Sequence, residues 1–141
     1  MDIYKEGKLV NCYICERSCE ITEGCTGACG MYLNKEGVPI ERFPDRYLIT
    51  TPISIETMPI LHFYPGEKFL QISTTGCNFN CDGCISTVIV REIVPGSKAL
   101  SELSPEQVVS EAVRNECLGI VFLMNDPLAS FLSFVEVAKA A

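Results

Sequence analysis

Three cysteines that lie close together in the sequence could hold one metal cluster. Cys77, Cys81 and Cys84 occur in the segment TTGCNFNCDGC at the spacing CxxxCxxC. Cysteine thiolates are the usual ligands of iron-sulfur clusters, and a loop of this length can bring three of them to three corners of one four-iron cluster. The fourth iron then keeps an open position for a small molecule, so this spacing predicts substrate chemistry at iron.

Two other sites fit the same three thiols. One is a structural zinc site, and the other is an electron-transfer cluster whose fourth thiolate comes from Cys117 or from the N-terminal cysteines. Cys117 ends a predicted amphipathic helix, where we expect it to behave as a small buried hydrophobic residue. His62 is the only histidine, and we expect it to be packed or exposed rather than a ligand.

A second group of cysteines precedes this loop. It has five members, which are Cys12, Cys15, Cys19, Cys25 and Cys29. An opening CxxC followed by a second pair is typical of a zinc knuckle or an auxiliary iron-sulfur site. The chain has nine cysteines in all and begins without a secretion signal, and disulfides are rare in the cytosol. Metal binding is therefore favoured over disulfides, and the expected location is cytoplasmic.

The elements around the cysteine loop predict a repeated strand-helix unit. Residues 68–74 read as a strand that ends just before Cys77, and Ser104 with Gln107 forms a capping box for a helix over residues 105–116. The apolar run at 119–124 predicts a strand buried on both faces, and residues 128–141 predict a second helix with Leu128, Phe131, Leu132, Val135 and Ala138 on its apolar face. This order is typical of a parallel α/β barrel or open sheet, with active groups at the carboxyl ends of the strands.

The remaining segments predict a small module and a connector. Residues 1–43 form a Cys-rich metal-binding module with a hairpin that turns at residues 34–37, and residues 44–67 form an extended, proline-rich connector. Residues 68–141 then hold the first two β/α units of a barrel. A closed barrel needs about 250 residues, so we expect this chain to be part of a longer one.

TTGCNFNCDGC after a strand resembles the radical S-adenosylmethionine (SAM) superfamily, whose signature is CxxxCxxC just after the first barrel strand. The wider resemblance runs from the N-terminal cysteines through residues 63–66 (FYPG) to the Asn-Asp-Pro that follows the second strand. It is to proteins related to pyruvate formate-lyase activating enzyme and to radical SAM proteins of the AmmeMemoRadiSam type. The resemblance implies an α/β fold containing the N-terminal part of a partial parallel (β/α) barrel.

The resemblance also implies an enzyme. Cys77, Cys81 and Cys84 would hold a 4Fe-4S cluster that reductively cleaves SAM to a 5'-deoxyadenosyl radical, which abstracts hydrogen from an unknown protein or small-molecule substrate. The electron would come from a reductant such as flavodoxin or ferredoxin. Activation of a protein is suggested by kinship alone, and the alternative is a non-catalytic iron-sulfur or zinc module for electron transfer or docking. Activity of the isolated 141-residue chain stays open.

Further site residues come from the same resemblance. Family members hold the SAM amino group at the end of the second strand, which here is Met124, Asn125 and Asp126; a helix N-cap is the other role open to Asn125 or Asp126. Gly83 stands where the family usually has an aromatic residue, which puts the adenine contact in doubt. The N-terminal positions shared with the related proteins are Cys12, Cys15, Cys19 and Cys29, which leaves Cys25 as the spare thiol.

Composition excludes some partners. The chain has 18 acidic and 11 basic residues and a net charge of -7, which would repel a nucleic-acid backbone. No apolar segment approaches the roughly 20 residues that a membrane span needs. We therefore expect neither nucleic acid nor membrane as a partner.

Overall fold

The computed structural model describes residues 8–94 and 97–141 as an α/β arrangement of short elements. In chain order these are β1 (Val10–Cys12), β2 (Cys19–Ile21), β3 (Tyr32–Lys35), β4 (Val38–Glu41), β5 (Arg46–Tyr47), β6 (Ile49–Ser54), β7 (Lys68–Ser73), β8 (Ser101–Glu102), α1 (Pro105–Arg114), β9 (Gly119–Phe122) and α2 (Phe131–Ala140). Single helical turns lie at Ile55–Thr57 and Pro127–Ser130, and a π-helix spans Val88–Glu92. The described strands form four small sheets rather than a closed barrel, so the barrel stays a prediction.

The sheet that carries the cysteine loop has the order β6-β7-β9. β7 is antiparallel to β6 and parallel to β9, and α1 lies between β7 and β9 in the chain. Parallel neighbours end at the same edge of a sheet. The segments that follow β7 and β9 therefore lie on one rim, as the sequence predicted.

The core beneath this sheet is formed by apolar residues of β7 and both helices. Leu70 and Ile72 of β7 pack with Val108 of α1 and with Phe134 and Val137 of α2, and all five are buried. Burial of each such side chain contributes about 1.5–3 kcal/mol to the free energy of folding. This core fixes the direction of β7 and hence the position of the loop that follows it.

Helix α1 begins where the sequence predicted. The capping box between Ser104 and Gln107 is present, and Pro105 takes the first helical position. The helix ends at Arg114 rather than at residue 116, because Glu116 has a φ of 55°. Its buried face comprises Val108 and Ala112, whereas Val113 is exposed.

The predicted extended connector is wrong for part of residues 44–67. Ile49–Ser54 is strand β6, which pairs with the whole of β7 from Ile49 opposite Ser73 to Ser54 opposite Lys68. Pro52 lies inside this strand, and it is tolerated because β6 is at the edge of the sheet, where a missing N–H breaks no ladder. The proline count excluded a central strand but did not exclude an edge strand.

Two predictions about burial are also wrong. β9 covers only Gly119–Phe122 and is half-buried rather than buried on both faces, because it is the other edge strand of the described sheet. Helix α2 begins at Phe131 and buries Ser133, Phe134 and Val137. Of the predicted apolar face, Phe131 and Leu132 are exposed, because the other side of α2 packs into the main core through Phe134 and Val137.

Two hairpins form the Cys-rich module. β1 pairs with β2, and β3 pairs with β4 through the turn predicted at residues 34–37. The module is tied to α2 by buried polar groups. Glu41 accepts hydrogen bonds from the Ser133 hydroxyl (2.9 Å) and the Ser133 N–H (3.1 Å). Burial raises the pKa of the Glu41 carboxyl, and the Ser133 donors oppose that shift.

No helix within the described residues combines the length and the hydrophobicity that a membrane span requires.

Candidate metal and cofactor site

The cysteine loop leaves β7 through a tightly packed turn. Thr74 and Thr75 are buried, and Gly76 follows with a φ of +73°. A Cβ on Gly76 would lie 2.6 Å from the carbonyl oxygen of Cys29 and 2.6 Å from Cγ of Met31. Glycine is required here both by the backbone conformation and by the close approach of the N-terminal module.

The three loop cysteines share one open cavity with the end of β9. Cys77, Cys81 and Cys84 line a cavity of about 480 Å³ that residues 123–126 also line. Cys77 and Cys84 are half-buried, and Cys81 is exposed. The structure therefore brings the predicted cluster ligands and the predicted SAM-binding stretch to the same cavity.

Asn125 connects the two strand ends that border this cavity. Its amide nitrogen donates to the Thr74 hydroxyl (2.9 Å) and to the carbonyl of Gly76 (3.2 Å), and its Oδ1 accepts from the Thr74 N–H at 3.4 Å. Thr74 is in turn within 2.8 Å of the Ser130 hydroxyl. Asn125 thus holds the residue just before Cys77, a positioning role that the sequence did not reveal.

Asp126 has the capping role. Its Oδ1 accepts from the Leu128 N–H at 2.8 Å, at the start of the helical turn Pro127–Ser130. One carboxylate oxygen is therefore used by the protein, while the residue still lines the cavity. Met124, two residues before Asp126, has a φ of 80°, which turns the chain sharply just after β9.

The thiols lie around the cavity without meeting at one point. Within residues 8–94 and 97–141, no three Cys, His, Asp or Glu side chains are grouped closely enough to hold a metal ion. Gly83 is not part of the cavity lining; it has a φ of +67° and open space where a side chain would be. Phe79 lines the cavity and is the aromatic side chain of this loop.

Four of the N-terminal thiols line a second, smaller cavity. Cys12, Cys15, Cys19 and Cys29 all line one small cavity, and Cys25 is not among its lining residues. Cys12 and Cys19 are directly opposite each other in the β1–β2 hairpin. Among the five N-terminal cysteines Cys25 is the exposed one. The structure thus brings the four predicted ligands to one cavity and leaves the predicted spare thiol outside it, and metal binding there stays a prediction.

The Cys29 thiol is half-buried beside two of the other thiols. Burial raises its pKa, the nearby Cys12 and Cys15 thiols add to the shift, and backbone N–H groups of Met31 and Tyr32 oppose it. The Met31 N–H donates to the sulfur at 3.4 Å. Backbone donors of this kind favour the thiolate, which is the form that binds metal.

Side chains of the module link the N-terminal site to the rest of the protein. The Tyr32 hydroxyl donates to the carbonyl of Leu128 (3.1 Å) and accepts from the Phe131 N–H (2.9 Å) at the start of α2. Arg17, between two of the cysteines, donates to the carbonyl of Asn78 at 2.8 Å. The four N-terminal cysteines and the cysteine loop are thus neighbours in space, although 47 residues separate Cys29 from Cys77 in the sequence.

The other singled-out residues lie elsewhere. Cys117 is half-buried and packs against the main core, where burial raises its pKa, as expected of a small hydrophobic residue. His62 is exposed in an irregular segment with a φ of 61°, and it lines neither cysteine cavity. Phe63 lies against Phe69 with ring centroids 5.9 Å apart.

The chain is similar to a protein without an assigned function. It is 33% identical over 118 residues to the uncharacterized protein MJ0808 of Methanocaldococcus jannaschii. The match covers 84% of this chain and 35% of that protein, so the chain spans about a third of the relative's length. No protein-family model matches the chain, and no solved structure matches it.

Proposed function

We propose that this chain carries the SAM-cleaving site of a radical SAM enzyme. One observation supports this most directly: Cys77, Cys81 and Cys84 line the same cavity as residues 123–126, on the rim formed by two parallel strands. Ligands in parallel α/β folds bind at the carboxyl ends of the strands. A volume of about 480 Å³ is within the usual range for cofactor pockets.

The roles of the residues follow from their positions. The three thiolates would hold three irons of a 4Fe-4S cluster, and the cluster, when bound, supplies the electron that cleaves SAM to the 5'-deoxyadenosyl radical. Asn125 keeps the loop against the end of β9, and carbonyl oxygens of Met124 and Asn125 would accept from the SAM ammonium. The free oxygen of the Asp126 carboxylate is available to the same group, since its other oxygen caps Leu128.

The proposal includes an external electron donor and a substrate. A reductant such as flavodoxin or ferredoxin would supply the electron, and the substrate is a protein or small molecule from which hydrogen is abstracted. No residue of the described chain is assigned to that substrate by this argument. The competing function is a non-catalytic metal module for electron transfer or docking, and it differs in one respect: SAM would not perturb its cluster.

The decisive experiment is anaerobic reconstitution of the chain with iron and sulfide, followed by electron paramagnetic resonance of the reduced protein with and without SAM. We expect SAM to change the cluster signal. Cys81→Ala should lower bound iron by about one cluster and abolish both the SAM effect and reductive SAM cleavage. Cys117→Ala is the matched control, because Cys117 packs in the core away from both cavities.

Two results would overturn the proposal. The first is a reconstituted cluster whose signal is the same with and without SAM, which would favour the non-catalytic module. The second is loss of the cluster in Cys117→Ala but not in Cys81→Ala, which would assign a different set of ligands. Circular dichroism of each variant separates loss of ligands from loss of fold.

For the N-terminal site we propose a separate metal, zinc or an iron-sulfur cluster, bound by Cys12, Cys15, Cys19 and Cys29. Structural metal binding is coupled to folding, so this metal would stabilise the two hairpins. Cys29→Ser should lose one metal equivalent, whereas Cys25→Ser should retain it. Metal analysis after separate loading with zinc and with iron identifies the metal, and equal retention by both variants would show that the ligand set is wrong.

A further inference from the structure

A second open cavity lies on the other side of the cysteine loop. It encloses about 560 Å³ between the N-terminal module and the segment that follows the loop. Cys77 and Phe79 line both this cavity and the one proposed for SAM. The two cavities are therefore neighbours that share a wall, and a molecule in one would lie beside a cofactor in the other.

Positive charge is concentrated in this second cavity. It is lined by three of the five arginines of the chain, namely Arg17, Arg42 and Arg91. The net charge of the chain is -7, so this concentration of positive charge is local. Its lining contains no Asp or Glu among the described residues. These three arginines also form no ion pair within the part of the chain that the structure describes, whereas Arg46 and Arg114 are paired with glutamates elsewhere.

Two of the guanidinium groups are held in place by neutral partners. Arg17 donates to the carbonyl of Asn78 at 2.8 Å, and Arg42 donates to the carbonyl of Gly30 at 2.7 Å and lies over the Phe43 ring at 5.0 Å. An arginine has five N–H donors, so most of its donors are left over after one such bond. A carbonyl oxygen orients the guanidinium without neutralising its charge.

We propose that this arginine-lined cavity binds the phosphate or carboxylate group of a small-molecule anion. Guanidinium groups recognise both groups through paired, charge-assisted hydrogen bonds. Three positive charges without an acidic neighbour favour a doubly charged group over a neutral ligand. Identifying this anion with the substrate of the radical reaction rests on the proposed function; the anion site itself does not.

The test is a titration of the isotope-labelled 141-residue chain with inorganic phosphate and, separately, with malonate in low-salt buffer. The arginine Nε–H signals are followed by NMR. We expect the signals of Arg17, Arg42 and Arg91 to move along a saturating curve, while those of Arg46 and Arg114 stay in place. Tighter phosphate binding identifies a phosphorylated ligand, and tighter malonate binding identifies a dicarboxylate.

Matched variants make the result specific. Arg91→Gln should weaken binding about tenfold, the effect of losing one charge-assisted hydrogen bond. Arg114→Gln removes the same charge from the exposed surface of α1 and should leave affinity within twofold. Arg91 is preferred to Arg17 for this purpose because Arg17 also lines the four-cysteine cavity.

The inference is overturned if all five arginine signals move together, if the shifts rise linearly without saturation, or if both variants weaken binding equally. The titration requires neither iron nor SAM. Anion binding without any effect of SAM on a cluster would therefore refute the proposed function and leave the anion site intact. An effect of SAM on the cluster without anion binding would refute the anion site and leave the proposed function intact.

Discussion

Replacing Asn125 with alanine should release the start of the cysteine loop while leaving most of the protein intact. The substitution removes the hydrogen bonds to the Thr74 hydroxyl at 2.9 Å and to the Gly76 carbonyl at 3.2 Å. The third bond, at 3.4 Å, is long and contributes less. At about 1 kcal/mol for each good bond, the loss is about 2 kcal/mol.

Hydrogen exchange measured by mass spectrometry separates a local effect from a global one. A local cost of about 2 kcal/mol corresponds to roughly 30-fold faster exchange in peptides covering residues 74–79. The hairpin at residues 32–41 is fastened to α2 through Tyr32 and Glu41 and should keep its exchange rate. Asn11→Ala, at an exposed position of β1, is the control substitution.

Exchange within twofold of the wild-type rate at residues 74–79 would refute the positioning role of Asn125. Equal acceleration throughout the chain would also refute it, because that result indicates global destabilisation. In the reconstituted protein the same variant should retain Cys77, Cys81 and Cys84 as ligands but lose cluster faster on dilution. Unchanged cluster lifetime would show that Asn125 does not restrain the loop.

Three further predictions follow from contacts in and around the site. Asp126→Asn should leave the thermal midpoint unchanged because both residues cap helices well, whereas Asp126→Ala should lower the free energy of unfolding by about 1 kcal/mol. If the second carboxylate oxygen binds the SAM ammonium as proposed, the Asn variant should also bind SAM about tenfold more weakly; SAM affinity within twofold of wild type would leave Asp126 with the capping role alone. In denaturant titrations, Gly76→Ala should lower the free energy of unfolding clearly more than Gly83→Ala does. Both glycines have a positive φ, but only Gly76 is in close contact with a backbone carbonyl. Equal losses of unfolding free energy in the two variants would contradict this. Burial raises the pKa of Glu41 above its ordinary 4.5, so the folded protein loses the stabilising protonated form as pH rises through the raised pKa. The free energy of unfolding should therefore fall over that pH range in wild type and fall less in Glu41→Gln. Identical pH profiles of the two proteins would show that Glu41 does not cause the fall.

Local signals predicted the elements that local chemistry determines. The capping box at Ser104, the hairpin turn at 34–37 and the strand before Cys77 depend on neighbouring residues, and the structure confirms each of them. The rim shared by the cysteine loop and residues 124–126 was also predictable, because two parallel neighbouring strands must end on one edge.

Errors arose where a distant segment decides the outcome. Pro52 lies in a strand because β6 pairs with β7 on one side only and its other side is the edge of the sheet. The residues near position 52 in the sequence do not reveal this pairing. The face that α2 buries packs on the core around β7 through Phe134 and Val137. Ser133 on the same face donates to Glu41, which lies 92 positions earlier in the chain. Hydrophobic periodicity alone favoured the opposite side of that helix.

The contacts between the two groups of cysteines imply that metals bound to them would not act independently. The carbonyl of Cys29 lies against Gly76, and Arg17, between Cys15 and Cys19, donates to Asn78 next to Cys77. Any metal that orders the N-terminal thiols therefore fixes two groups that touch the cysteine loop. Since each such group restrains the residues on either side of Cys77, loss of the N-terminal metal should raise hydrogen exchange at residues 76–79 even when Cys77, Cys81 and Cys84 are unchanged. Exchange at these residues that does not respond to removal of the N-terminal metal would show that the two sites only share a surface.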